Sequence, residues 1–74
     1  MIHISQIHKE VERLPEFSIR FVDREGDIID CRRCICTSWH SSGRTMNIKF
    51  LESGEIRKIR RVSIIEFNGQ RVVL

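Results

Sequence analysis

Thr45-Met46-Asn47-Ile48-Lys49-Phe50 alternates polar and apolar side chains along its whole length, and that alternation decides the fold class. In an extended strand successive side chains point to opposite faces, so Met46, Ile48 and Phe50 share one face and Thr45, Asn47 and Lys49 the other. A helix would scatter the same apolar residues around its circumference. The stretch therefore predicts a half-buried strand.

The same period extends on both sides. Toward the N-terminus, Phe17, Ile19 and Phe21 alternate with Ser18, Arg20 and Val22, and a second run reaches from Ile28 to about Trp39. Asp23-Arg24-Glu25-Gly26-Asp27 and His40-Ser41-Ser42-Gly43 have the composition of turns between these runs. Toward the C-terminus, Glu52-Ser53-Gly54-Glu55 turns the chain again. In Ile56-Arg57-Lys58-Ile59-Arg60-Arg61-Val62 the apolar residues recur every third position, which calls for a bulge or a 3₁₀ turn near Arg60–Ser63. Ile64–Phe67 and Gln70–Leu74 flank Asn68-Gly69, a pair that tolerates the positive φ of a type I′ hairpin turn.

One segment follows a different period. Ile4, Ile7, Val11 and Leu14 form a single helical stripe. Ser5 is placed to cap its start, and Pro15 disfavours helical geometry at Leu14. The expectation is a helix over 5–14, then β-structure over 17–74, with a core of Val11, Phe17, Ile19, Phe21, Met46, Ile48, Phe50, Ile65 and Phe67.

Seventy-four residues make one domain, near the lower size at which a core holds without staples. Hydrophobic residues at 41% and charged ones at 31% give a globular balance. No run of apolar residues is long enough to cross a membrane, and the N-terminus lacks the pattern of a secretory signal. Three cysteines cannot all pair among themselves, so free thiols in a reducing cytoplasm are expected.

One helix is followed by five or six short antiparallel strands; that many in roughly 58 residues cannot form a two-sheet sandwich of normal size, and a small bent barrel is the natural way to close them. That order of elements resembles the Sm-like arrangement within the SH3-like barrels, over roughly residues 5–68. Met46-Asn47-Ile48 looks like the Met-Asn-hydrophobic start of the third Sm strand, and Ile65-Glu66-Phe67-Asn68-Gly69 occupies the place of the family's Ile-Arg-Gly-like segment. Gly43 stands where the family usually has aspartate, Thr45 where an aromatic often stacks on a base, and Glu66 where arginine is usual. The resemblance thus implies the barrel more than a uridine pocket. The chain also resembles short proteins of gut bacteria of the Bacteroides group.

Chemistry-bearing residues concentrate in Cys31-Arg32-Arg33-Cys34-Ile35-Cys36-Thr37-Ser38-Trp39-His40. Cys31, Cys34, Cys36 and His40 supply the right ligand types for zinc, but from one continuous β-patterned stretch without a flexible knuckle. Strict alternation puts Cys34 and Cys36 on one face and Cys31, exposed, on the other, so packing is the stronger reading and metal the weaker one. A redox Cys-x-x-Cys draws its low thiol pKa from a helix N-terminus, which a strand lacks. His3, His8 and His40 share no spacing with a nucleophile or carboxylate that would make a catalytic set. No enzyme and no cofactor is expected.

A binding role remains. Net charge is +3 and pI about 9.1, but residues 1–37 carry six basic and seven acidic groups (−1), whereas residues 38–74 carry seven and three (+4). Arg57, Lys58, Arg60 and Arg61 form the peak, with Arg44 and Arg71 as possible neighbours. Such a cluster fits phosphate contact or, equally, protection of a strand edge. Trp39 reads as a lid over the core or as part of a partner groove. The expected partner is a protein or a nucleic acid, and small size allows a homo-oligomer. Purified protein should carry no stoichiometric zinc by elemental analysis, and chelator should leave its Tm unchanged. A large drop in Tm would overturn the packing reading of the cysteines, because structural zinc contributes folding energy that chelation removes.

Overall fold

Proline at position 15 forces the preceding residue out of helical geometry, and Leu14 is extended, with ψ 140°. The computed structural model describes residues 1–74. Its helical segment is shorter than 5–14 and begins differently. A 3₁₀ turn, Ile4–Gln6, leads into helix α1, Ile7–Arg13. Ser5 lies inside that turn, and its N–H donates to the His3 ring while the His3 N–H donates to the Gln6 side chain. His3 therefore caps the segment, in a reciprocal box that satisfies two otherwise orphaned amides. The stripe of Ile4, Ile7 and Val11 is buried as its spacing requires.

The strands are β1 (Ile2–His3), β2 (Phe17–Val22), β3 (Ile28–Trp39), β4 (Thr45–Phe50), β5 (Ile56–Arg60), β6 (Ile64–Phe67) and β7 (Gln70–Val73). A second 3₁₀ turn, Arg61–Ser63, separates β5 from β6, at the place where the three-residue spacing of the basic run called for one. Seven strands form one sheet in the order β1-β7-β6-β2-β3-β4-β5. Two expectations are corrected here. The sheet is mixed, because β1 runs parallel to β7, and it does not close, because β1 and β5 have one strand neighbour each. The domain is small and mainly β, with one short helix, and no helix is long and apolar enough to cross a membrane.

Three one-residue bulges set the faces. Phe17 pairs with Cys34 and Ile19 with Cys31, so Ser18 faces both Arg32 and Arg33. Cys36 pairs with Ile48 and Ser38 with Asn47, leaving Thr37 extra. Arg20 pairs with Glu66 and Phe21 with Ile64, leaving Ile65 extra. A bulge bends its strand and resets the alternation beyond it. Along β3 the core-facing positions are consequently Ile29, Cys31, Cys34, Cys36 and Trp39, stepping by two and three in turn. Cys31 is thus buried at 4% exposure, not exposed on the opposite face. By the same mechanism Ile64 replaces Ile65 in the core, and Phe50 is half-buried. Ile2, Ile4, Ile7, Cys31, Cys34 and Ile59 complete the buried set. Fully burying a side chain such as Phe21, Phe67 or Ile48 contributes about 1.5–3 kcal/mol.

Asn68 (φ 49°) and Gly69 (φ 78°) form the two-residue tip of the β6–β7 hairpin, both in the left-handed region. Asn68 also clamps Ser18, the β2 residue that faces the β3 bulge: its N–H donates to the Ser18 carbonyl and its Oδ1 accepts the Ser18 N–H, both at 2.8 Å. Asn68→Ala should cost about 1–3 kcal/mol in urea unfolding, from left-handed strain and an unpaired Ser18 amide. Asn68→Gly should cost less, since it relieves the strain and loses only the acceptor. Equal costs for the two would refute the strain contribution.

Candidate functional site

The phase of the β4–β5 ladder shows which backbone groups of β5 are free. The Phe50 N–H donates to Glu55 and the Arg61 N–H donates to Arg44, both at 2.8 Å. Antiparallel hydrogen-bonded pairs alternate, so between those bonds Arg57 pairs with Ile48 and Ile59 with Met46 in hydrogen-bonded register. The N–H and C=O groups of Ile56 and Lys58 and the N–H of Arg60 therefore point away from β4 unpaired, whereas the Arg60 carbonyl caps the 3₁₀ turn Arg61–Ser63. No strand pairs with β5 on that side. They border a cleft of about 820 Å³ between β5 and the turn after β2, lined by Phe21, Asp23 and Glu25 opposite Arg57, Lys58 and Arg60.

The turn is held by its own hydrogen bonds. Asp23 Oδ1 accepts the N–H groups of Glu25 and Asp27, both at 2.9 Å, and Gly26 supplies φ 86°. The carboxylates of Asp23, Glu25 and Asp27 lie close together, and the first two form an acidic wall across the cleft from β5.

The two faces of β5 differ in how their cations are paired. Arg57 shares the inner side with Ile59, pairs with Glu55 at 2.6 Å and lies over the Phe50 ring at 5.8 Å. The Glu55 hydrogen bond pushes its pKa up, and the charges of Asp23 and Glu25 add to the effect. Lys58 and Arg60 sit on the outer side, opposite Asn47 and Thr45. Arg13, Arg20 and Arg33 are each held by a carboxylate, at 2.6, 2.8 and 3.0 Å. Lys58, Arg60, Arg61, Arg44 and Lys49 have none. The expected basic cluster is therefore divided, with Arg57 paired to Glu55 on one side and Lys58 and Arg60 without a carboxylate partner on the other. Lys49, opposite Ile56, belongs with the latter; its place in the Thr45–Phe50 alternation was the signal. The open edge and the acidic wall have no sequence signal, because both depend on strand order.

Trp39 is not part of this surface. It pairs with Met46 on the inner side, half-buried, and its ring packs on His8 of α1 at 4.3 Å between centroids. His8 in turn meets Glu12 at 3.0 Å. The lid reading fits this geometry, with helix and tryptophan covering one end of the core. Arg71 lies on β7, opposite Glu66.

The cysteines and His40 are not gathered into one ligand set; the one cluster of metal-competent side chains is Asp23, Glu25 and Asp27. His40 turns away to Ser42, and the thiols of Cys31, Cys34 and Cys36 donate to the carbonyls of Arg33, Phe17 and Ser38. Burial pushes all three thiols up, Cys34 most strongly. The chain matches no family model, no curated protein and no solved structure, so its surface chemistry is its own guide to function.

Raised thiol pKa values make stability fall at alkaline pH. Below the unfolded value of about 9 both states keep their protons; above it the unfolded chain loses them first and is favoured. Unfolding free energy should decline from about pH 9 upward, and Cys34→Ala should flatten that decline in a pH series of denaturant melts. At neutral pH a thiol reagent should modify Cys36 first, with Cys31 and Cys34 reacting only on unfolding.

Proposed function

We propose that this chain is a small binding module without an active site of its own, and that it takes a protein partner by strand addition along β5. The observation that carries this reading is the row of free N–H groups at Ile56, Lys58 and Arg60, with the free carbonyls of Ile56 and Lys58, along an open cleft. An exposed edge is a template for another strand: main-chain bonds supply affinity and alternate side chains supply specificity. The order β6-β2-β3-β4-β5, with a 3₁₀ turn joining the outer two strands, supports a partly open SH3-like barrel of the Sm-like arrangement. Free thiols fit a reducing, cytoplasmic setting, and the bacterial resemblance stands beside it as part of the same proposal.

A second reading has its own observation. The uncompensated Lys49, Lys58 and Arg60 share the outer face, with Arg44 and Arg61 at its end, and such a face suits phosphates. Four of the five aromatics, however, are core phenylalanines, buried or packed against it, and the fifth is Trp39 under His8, so no stacking platform accompanies the cations. Single-strand binding draws on such platforms. Nucleic-acid contact should then be weak and sequence-blind. A head-to-tail homo-oligomer needs two long edges, whereas the far side of the sheet ends in the two residues of β1.

Strand addition has a residue-specific signature. A short alternating threonine–valine peptide should slow amide hydrogen exchange at Ile56, Lys58 and Arg60, and change Arg57 and Ile59 little. Lys58→Pro removes an outward N–H at an edge, where proline is tolerated, and should abolish the effect, whereas Lys58→Gln should retain it. Tight oligonucleotide binding near physiological salt, weakened by Arg60→Gln/Arg61→Gln, would instead favour the second reading.

A further inference from the structure

Resting on the strand-addition reading, we infer that the partner of β5 is an extended segment with acidic, apolar and acidic side chains opposite Lys58, Ile59 and Arg60. The argument is one of faces. A residue directly opposite another in a sheet shares its face, with Cβ atoms about 5 Å apart. Residues of the added strand opposite Lys58 and Arg60 therefore project to the outer side, beside two cations that no carboxylate of this chain engages. The residue between them, opposite Ile59, projects to the inner side, into the cleft whose apolar lining is Phe21, Val22 and Ile59. Asp23 and Glu25 line that side and already act on Arg57 together with Glu55. A third acid placed there meets like charge.

The same charges argue against a second copy of this chain. In the fully overlapping antiparallel register of β5 on itself, Lys58 lies opposite Lys58. Shifting the register by one hydrogen-bonded step toward Arg60 sets Lys58 opposite Arg60. Like charges directly opposite are destabilising. Lysine and arginine on an edge strand are a known defence against self-association, and here the defence is selective. It repels a copy of itself and attracts an acidic strand.

The test uses the full chain and four peptides that differ at three positions within a threonine–valine frame: Glu-Val-Glu, Gln-Val-Gln, Lys-Val-Lys and Glu-Glu-Glu. Affinity is read by titration, and the bound site by exchange at the Ile56, Lys58 and Arg60 amides. Two favourable cross-strand pairs predict that Glu-Val-Glu binds about 2- to 30-fold more tightly than Gln-Val-Gln. Lys-Val-Lys should bind more weakly than either, and Glu-Glu-Glu more weakly than Glu-Val-Glu despite its greater charge. Salt and the variant Lys58→Gln/Arg60→Gln should both erase the acidic advantage while leaving the three amides protected. Equal binding of Glu-Val-Glu and Gln-Val-Gln, with those amides protected, overturns the acidic selection and leaves strand addition standing. Tighter binding of Glu-Glu-Glu overturns the alternation and reduces the effect to bulk charge. No protection by any peptide overturns strand addition itself. A concentration-dependent dimer by light scattering, with the same amides protected, assigns the edge to a second copy and overturns the inference.

Discussion

A single sheet has to wrap around its own core in this chain, because one helix of two turns cannot cover seven strands. The bulges at Arg32-Arg33, Thr37 and Ile65 make that possible. Each adds a residue to one strand of a pair, bends it, and sends the next apolar side chain back to the concave side. Two of them fall in β3, the longest strand, which pairs with β2 over its first half and β4 over its second. Without them Cys31 and Trp39 would face solvent, and the enclosed core would lose its middle.

The same curvature determines where the sheet stays open. Bending brings the turn after β2 across from β5 but leaves no strand between them, so the sheet stops at a free edge with a cleft beside it. The opposite end of the sheet is finished differently. The Asn68-Gly69 hairpin adds β7, and the parallel β1 covers part of that strand, so little unpaired backbone is left there. That asymmetry of ends is consistent with the proposed addition of one strand, rather than with self-propagation.

Electrostatics follows the sheet's two sides. Arg13, Arg20, Arg33 and Arg57 each meet a carboxylate, Arg20 bridging Glu66 and Asp30 across β2, β6 and β3. On the outer side of β4 and β5 the facing positions are Thr45, Asn47 and Lys49, none of them acidic, so Lys58 and Arg60 stay uncompensated. The cysteines contribute nothing to this surface. Their burial places them with the apolar residues of the core, where a small, weakly polar thiol bonds to a nearby carbonyl and stays protonated.

Much of this was legible in the residues. The alternation of Thr45–Phe50, the stop at Pro15, the positive-φ turn of Asn68-Gly69 and the 3₁₀ turn after Arg60 all follow from preferences acting over a few neighbours, and the structure contains each of them. The bulges left a trace as well. Arg32-Arg33 and Thr37-Ser38 are consecutive polar residues between core-facing ones, a break in the alternation that marks a reset of face. That trace does not say which strand pairs with which. Whether Cys31 or Ile64 is buried, whether His3 joins β7, and which edge is left open depend on pairings between residues far apart in the chain. Local preference fixes φ, ψ and the period of a segment; register, strand order and the free edge are decided only when segments compete for the same hydrogen bonds and the same core.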